Sequence, residues 1–206
     1  MDGLLIDSEP IWQEATSEIF ATKNLQITLE QYESTTGLRT AEFLEHWFDY
    51  FQLDNALLNQ WQNALYELVI AKVKSKGQVM QGVDYIFDFF AKQNFKMGVA
   101  SSSPMILIDC VIDMIGVRKQ LQAITSAEDL PFGKPNPQVY INCANELNSK
   151  ANDCICFEDS INGMIAAKAA KMKCVVVPAP SQFEDLRWHL ADLKIKSLLD
   201  FKTITS

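Results

Sequence analysis

Apolar and polar positions divide the chain into two regimes. From about Trp12 to Lys76, apolar side chains recur every three to four residues, as in Phe43, Trp47 and Phe51, and again in Leu57, Trp61, Leu65 and Leu68. That spacing lays one apolar stripe along a helix and predicts a helical segment, punctuated at Gly37. The Trp and Phe stripes read as packing surface rather than ligand contacts. After Gly82 the pattern changes to short apolar runs separated by amphipathic stretches. Met97–Ala100, Ala123–Thr125, Cys154–Phe157 and Cys174–Val177 read as strands; Pro104–Ile115, Pro137–Leu147 and Ile161–Ala170 read as helices. Such alternation predicts a parallel sheet covered by helices on both faces. The expected architecture is an α/β core made of residues 1–11 and 82–206, split by a helical insertion over residues 12–81. Ligands of such sheets bind beyond the carboxyl ends of the strands, so the residues that follow each strand carry the functional question.

Composition narrows the classes. The 206 residues are 48% hydrophobic and 21% charged, enough for a sizeable core. A net charge of −8 argues against nucleic acid, which is bound through Lys/Arg patches. No apolar run approaches the roughly 18 residues of a membrane span, and the N-terminus lacks a basic-then-apolar leader, so a cytoplasmic monomer is the expectation. The five cysteines form no CxxC pair and read as small core residues; with only His46 and His189, a three-His zinc site is excluded.

Four polar clusters fall at the predicted strand ends or beside them. Asp2-Gly3 precedes the apolar Leu4-Leu5-Ile6 and then Asp7-Ser8-Glu9-Pro10; an Asp-Gly turn and a helix cap would account for it equally. Ser101-Ser102-Ser103-Pro104 offers hydroxyls and backbone N–H groups suited to an anion, or simply a helix start with proline. Gly133-Lys134-Pro135-Asn136-Pro137 holds a lysine in a stiff loop. Glu158-Asp159 places two carboxylates at the end of an apolar strand, where a cation such as Mg²⁺ would offset their charge; capping of the next helix is the alternative.

In order and spacing, MDGLLIDSEP (residues 1–10), VASSSP (99–104), LPFGKPNPQVY (130–140) and FEDSINGMIAAKAAKM (157–172) resemble the motifs of the haloacid dehalogenase superfamily. The resemblance spans essentially the whole chain. It is nearest to the sugar-phosphate phosphatases of the β-phosphoglucomutase-like group, in particular hexitol and 2-deoxyglucose 6-phosphate phosphatases. It implies a Rossmann-like core with a four-helix cap and Mg²⁺-dependent hydrolysis of a small phosphorylated sugar through an aspartyl phosphate. Asp2 would be the acid/base, with its carbonyl on the metal. Ser101 would bind the transferring phosphoryl group, Lys134 would neutralise it, and Glu158 and Asp159 would hold Mg²⁺, Asp159 the more directly. Ser102 and, from the cap, Arg39 within Gly37-Leu38-Arg39-Thr40 are expected to contact substrate, with Glu9 and Trp12 at the pocket wall.

Two departures matter. The family's nucleophilic Asp belongs two residues before the acid/base, at the position immediately preceding Met1, together with an upstream apolar strand of about five to eight residues. An upstream start, a trimmed chain or a chain without catalysis are the three readings. In mutases of the group a cap His stands near the position of Trp12, and an indole cannot shuttle a proton, which favours a phosphatase over a mutase. A phosphosugar-binding protein without turnover is the remaining alternative.

Overall fold

The computed structural model describes residues 1–35 and 38–202; Gly37, expected to punctuate the helical region, lies outside the described residues. Four helices open the chain: α1 (Glu9–Ala21), α2 (Leu29–Ser34), α3 (Thr40–Phe51) and α4 (Leu58–Lys76). In α4, Trp61, Leu65, Val69 and Val73 are buried, one every four residues, which is the stripe that periodicity predicts. Edge-on packing of Phe20 from α1 and Phe48 from α3 against Trp61, each with ring centroids 5.1 Å apart, joins the three helices. The first helix starts at Glu9 rather than Trp12 because Pro10 fits the opening turn, where no N–H partner is needed.

The chain leaves and re-enters the α/β part side by side. Ile6 bridges Val79 antiparallel, and Asp7 N and Met80 N donate to Gln78 O and Leu5 O at 2.9 and 3.0 Å. Beyond this crossing come α5 (Val83–Lys92), β1 (Met97–Ser101), α6 (Met105–Ile115), β2 (Leu121–Ser126), α7 (Gln138–Glu146), β3 (Ile155–Glu158), α8 (Ile161–Ala169), β4 (Lys173–Val176) and a two-residue β5 (Leu193–Lys194). All strand pairs are parallel: β1 with β2, and β3 with β4, which pairs β5. On β4, Cys174 and Val176 pack into one apolar cluster and Val175 into another, so alternate side chains are buried on both faces. That is the signature of a sheet sandwiched between helices.

The named strands form two hydrogen-bonded sheets, β1–β2 and β3–β4–β5. β1 and β3 do not pair with each other; between them lies a cavity of about 380 Å³ lined by Met1, Leu4, Leu5, Val99 and Phe157 among others. Of the cysteines, Cys143, Cys156 and Cys174 are buried and Cys110 and Cys154 half-buried, all with free thiols, as core residues should be. No described helix is long and apolar enough to cross a membrane.

Candidate active site

Asp2 sits on the turn after Met1, held there by Leu4 N and Leu5 N donating to Met1 O at 3.3 and 2.8 Å. Its carboxylate accepts from Ser8 Oγ (2.6 Å) and Trp12 Nε1 (3.2 Å) on one oxygen and from Ser103 Oγ (2.5 Å) on the other. These donors come from the start of α1 and from the loop after β1. Ser8 therefore does not cap α1 through its side chain; its hydroxyl is committed to Asp2.

Lys134 and Glu158 form a buried ion pair. Lys134 Nζ donates to Glu158 Oε1 at 2.5 Å, with both side chains 7% or less exposed, and lies 4.8 Å from the centre of the Tyr140 ring. Tyr140, on the first turn of α7, also donates a very short hydrogen bond to Glu158 Oε1, while Ser160 supplies N–H and Oγ–H to Oε2 at 3.3 and 3.0 Å. Burial pushes the Glu158 carboxyl up, but Lys134, the Met1 amino group and Tyr140 outweigh it and hold Glu158 below its usual range. Lys134 behaves in mirror fashion: burial opposes its charge, and Glu158 more than restores it. Ser160 also accepts from Gly163 N at 3.0 Å, so the cap of α8 is Ser160 and not the acid pair that precedes it.

Asp159 is in a different state. Burial first, and then the adjacent Glu158 charge, push its carboxyl up to about 7, with the Met1 amino group and Lys134 opposing and Asp2 adding to the rise. Gly3 lets Asp159 come close. A Cβ on Gly3 would lie 2.0 Å from Asp159 Oδ2, and Gly3 adopts φ +62°, a conformation that glycine holds without strain. Gly163 plays the same part for Glu158, whose Oε2 would be 1.9 Å from an added Cβ. No preformed cluster of three metal-ligating acids or thiols occurs among the described residues. Glu158 has both oxygens bonded to protein donors, whereas the crowded negative charge at Asp159 is the kind that a hard cation offsets. Oxygen-only donors fit Mg²⁺.

These groups face one cavity of about 130 Å³, lined by Met1, Asp2, Glu9, Trp12, Ser101, Ser102, Ser103, Lys134, Glu158 and Asp159, with Tyr32, Leu38, Phe43 and Leu65 from the helical segment. The structure thus brings together every site residue expected from sequence except Arg39. Ser101 is buried and its Oγ accepts from Ser103 N at 3.2 Å; Ser102 Oγ is buried with no protein partner. Arg39 does not line the cavity, contrary to its expected substrate contact. Its two terminal nitrogens donate to Ala127 O (3.2 Å), Leu130 O (2.5 Å) and Pro131 O (3.4 Å) and pair with Glu42 at 2.7 Å, while Nε is buried without a partner. From sequence, Tyr140 had no role, Ser103 stood only within the hydroxyl cluster and Ser8 only in a candidate helix cap, and none was expected to bond Asp2 or Glu158. A hydroxyl two or three residues from a singled-out residue was the available signal for Ser103; Tyr140 had none.

The cavity therefore combines a lysine, several hydroxyls and four carboxylates, Asp2, Glu9, Glu158 and Asp159, at the ends of parallel strands of an α/β fold. The chain belongs to the haloacid dehalogenase-like hydrolase family, which it matches over residues 1–177. It is similar to hexitol phosphatase B of Escherichia coli (strain K12), with 36% identity over 201 residues, 97% of this chain and 90% of that protein. It also resembles the fructose-1-phosphate phosphatase of the same organism, 24% identical over 86% of this chain and 93% of the other. In fold it matches a β-phosphoglucomutase from Clostridium difficile with a TM-score of 0.85, at 20% identity over 98% of this chain and 90% of that one.

Proposed function

We propose that this phosphatase-type enzyme hydrolyses small hexose or hexitol phosphates with Mg²⁺ through an aspartyl-phosphate intermediate. The observation that carries the reading is the convergence of Asp2, Ser101, Lys134 and Glu158–Asp159 on one small cavity. The likeness to sugar-phosphate phosphatases supports the substrate class. The nucleophilic Asp is assigned to the position immediately before Met1. In support, the family's spacing puts that Asp two residues before Asp2, and Met1 is buried and lines the same cavity as Asp2, Lys134 and Asp159.

In this reading the Asp carboxylate attacks phosphorus while Asp2 gives its proton to the departing sugar oxygen. Asp2 then takes a proton from the water that breaks the phosphorus–aspartyl bond. Lys134 and the hydroxyls of Ser101 and Ser102 receive phosphoryl oxygens; the unpartnered Ser102 Oγ is a donor free to do so. Asp159, Glu158 and the Asp2 carbonyl would hold Mg²⁺, which when bound offsets charge on those oxygens. Trp12 donates its indole N–H to Asp2 and has no acceptor with which to return a proton to a sugar, which favours water as the final acceptor. Residues 1–11 and 82–206 act as core and 12–81 as cap, a division supported by the antiparallel bridge of Ile6 with Val79 and the backbone hydrogen bonds beside it. The cap side chains at the cavity select the sugar.

The test is Mg²⁺-dependent phosphate release from a panel of hexose and hexitol phosphates. It is run on this chain beside the same chain extended upstream by an apolar strand ending in Asp. Release that needs both Mg²⁺ and the extension supports the reading. A folded extended chain that binds sugar phosphate but releases nothing would overturn it in favour of a binding protein.

A further inference from the structure

Lys134 is carried by a loop whose two ends are held by different parts of the molecule. At its start, Ser126 Oγ donates to Ser103 O at 2.7 Å, and Glu128 accepts from Met105 N at 3.0 Å, tying residues 126–128 to the loop after β1. The stretch that follows is gripped from α3. Arg39, just before that helix, spreads its guanidinium over the carbonyls of Ala127, Leu130 and Pro131, and Glu42 pairs with it from one turn along. The Gly133 backbone N–H joins Arg39 in holding the Glu42 carboxyl below its ordinary range against the effect of burial. Gly133 is where the loop passes beneath this pair: a Cβ there would lie 2.9 Å from Arg39 Cγ and 3.0 Å from Glu42 Oε2. The next residue is Lys134.

We propose that Arg39 and Glu42 form a clasp that positions Lys134, so that seating α3 on the 127–133 loop and presenting Lys134 to Glu158 are one event. This rests on the reading of Lys134 as the phosphate-neutralising group, and it makes Arg39 a positioning residue rather than a substrate contact. A planar fork reaching three carbonyls is not reproduced by an ammonium, so lysine at 39 restores charge but only part of the grip.

The experiment reads Lys134 itself, without substrate. The folded chain is acetylated with an N-hydroxysuccinimide ester, and Lys134 is compared by mass spectrometry with the exposed Lys92 as internal standard. Loss of charged hydrogen bonds in R39A or E42A should raise relative Lys134 labelling at least about tenfold, with R39K intermediate. Should R39A fail to fold, E42Q, which keeps shape and size, decides. Wild-type labelling of Lys134 in the folded variants would overturn the clasp. In a chain that releases phosphate, R39K should lower kcat with little change in KM; a rise in KM alone would return Arg39 to substrate binding. Absence of phosphate release leaves the labelling result standing, so the two readings fail separately.

Discussion

Replacing Lys134 by methionine tests the buried pair on which the site is built. The change removes the ammonium from Glu158 Oε1 while keeping most of the side chain's length. Breaking a buried ion pair by deleting one partner costs about 3–5 kcal/mol, because a charge is left uncompensated. Here the lower end is expected, since Tyr140 and Ser160 still donate to both Glu158 oxygens. In the wild type, the Glu158 carboxyl is held below its ordinary range, so its contribution to stability is present above the ordinary carboxylate range and is lost as pH falls through the folded value. In K134M burial dominates, the folded value rises above the unfolded one, and the sign reverses: the variant loses stability as pH rises. The penalty should therefore be about 3 kcal/mol at pH 7 and shrink towards pH 5. Urea denaturation at both pH values measures it, with K134M/E158L as the companion. Removing both charges should recover most of the loss, as apolar replacements of buried pairs often do. A penalty under about 1 kcal/mol, one that grows on acidification, or a double variant as weak as the sum of its parts would refute the argument.

Three further outcomes follow from the geometry. In the chain extended upstream to its nucleophile, Gly3→Ala should cost about 1–2 kcal/mol from its left-handed backbone alone and should also displace Asp159, so thermal stability and turnover fall together. Ser103→Ala removes one of three donors to Asp2; turnover should fall while thermal stability changes by about 1 kcal/mol, as for a single hydrogen bond. Burial pushes the Cys143 thiol up to about 12, so at pH 8 the folded protein should leave Cys143 unreacted with Ellman's reagent and react fully once denatured.

How far the sequence reached can be argued from particular residues. Strands β1 to β4 and helices α6 to α8 were readable because each couples an apolar run to polar punctuation, and their ends agree with expectation to within a few residues. The two-residue β5 was not, since Leu193–Lys194 is too short to carry a period. The break between β1 and β3 could not be read either: which strands pair depends on what fills the space between them, not on the strands' own composition. Around the cavity, Asp2, Lys134, Glu158 and Asp159 were each ambiguous alone, as a turn, a loop lysine or a helix cap, and only the order and spacing of their clusters along the chain singled them out. Tyr140 was not among them, because an aromatic on the first turn of a helix ordinarily signals packing, and only its placement beside Glu158 gives its hydroxyl a task. Arg39 stood out as a charge in the loop ahead of α3. Its partners are main-chain carbonyls, which every residue possesses, so no side-chain pattern could reveal them.

The side-by-side crossing at residues 5–7 and 78–80 has a consequence for how such a molecule changes over generations. Both ends of the helical segment meet the rest of the chain at one seam, so what lies between them can lengthen or shorten at its loops, provided that Trp12 still reaches Asp2 and Arg39 still reaches the carbonyls of residues 127–131. Drift in this stretch is therefore filtered position by position, with Trp12, Arg39 and Glu42 tied to the remainder of the chain and its exposed positions free to vary.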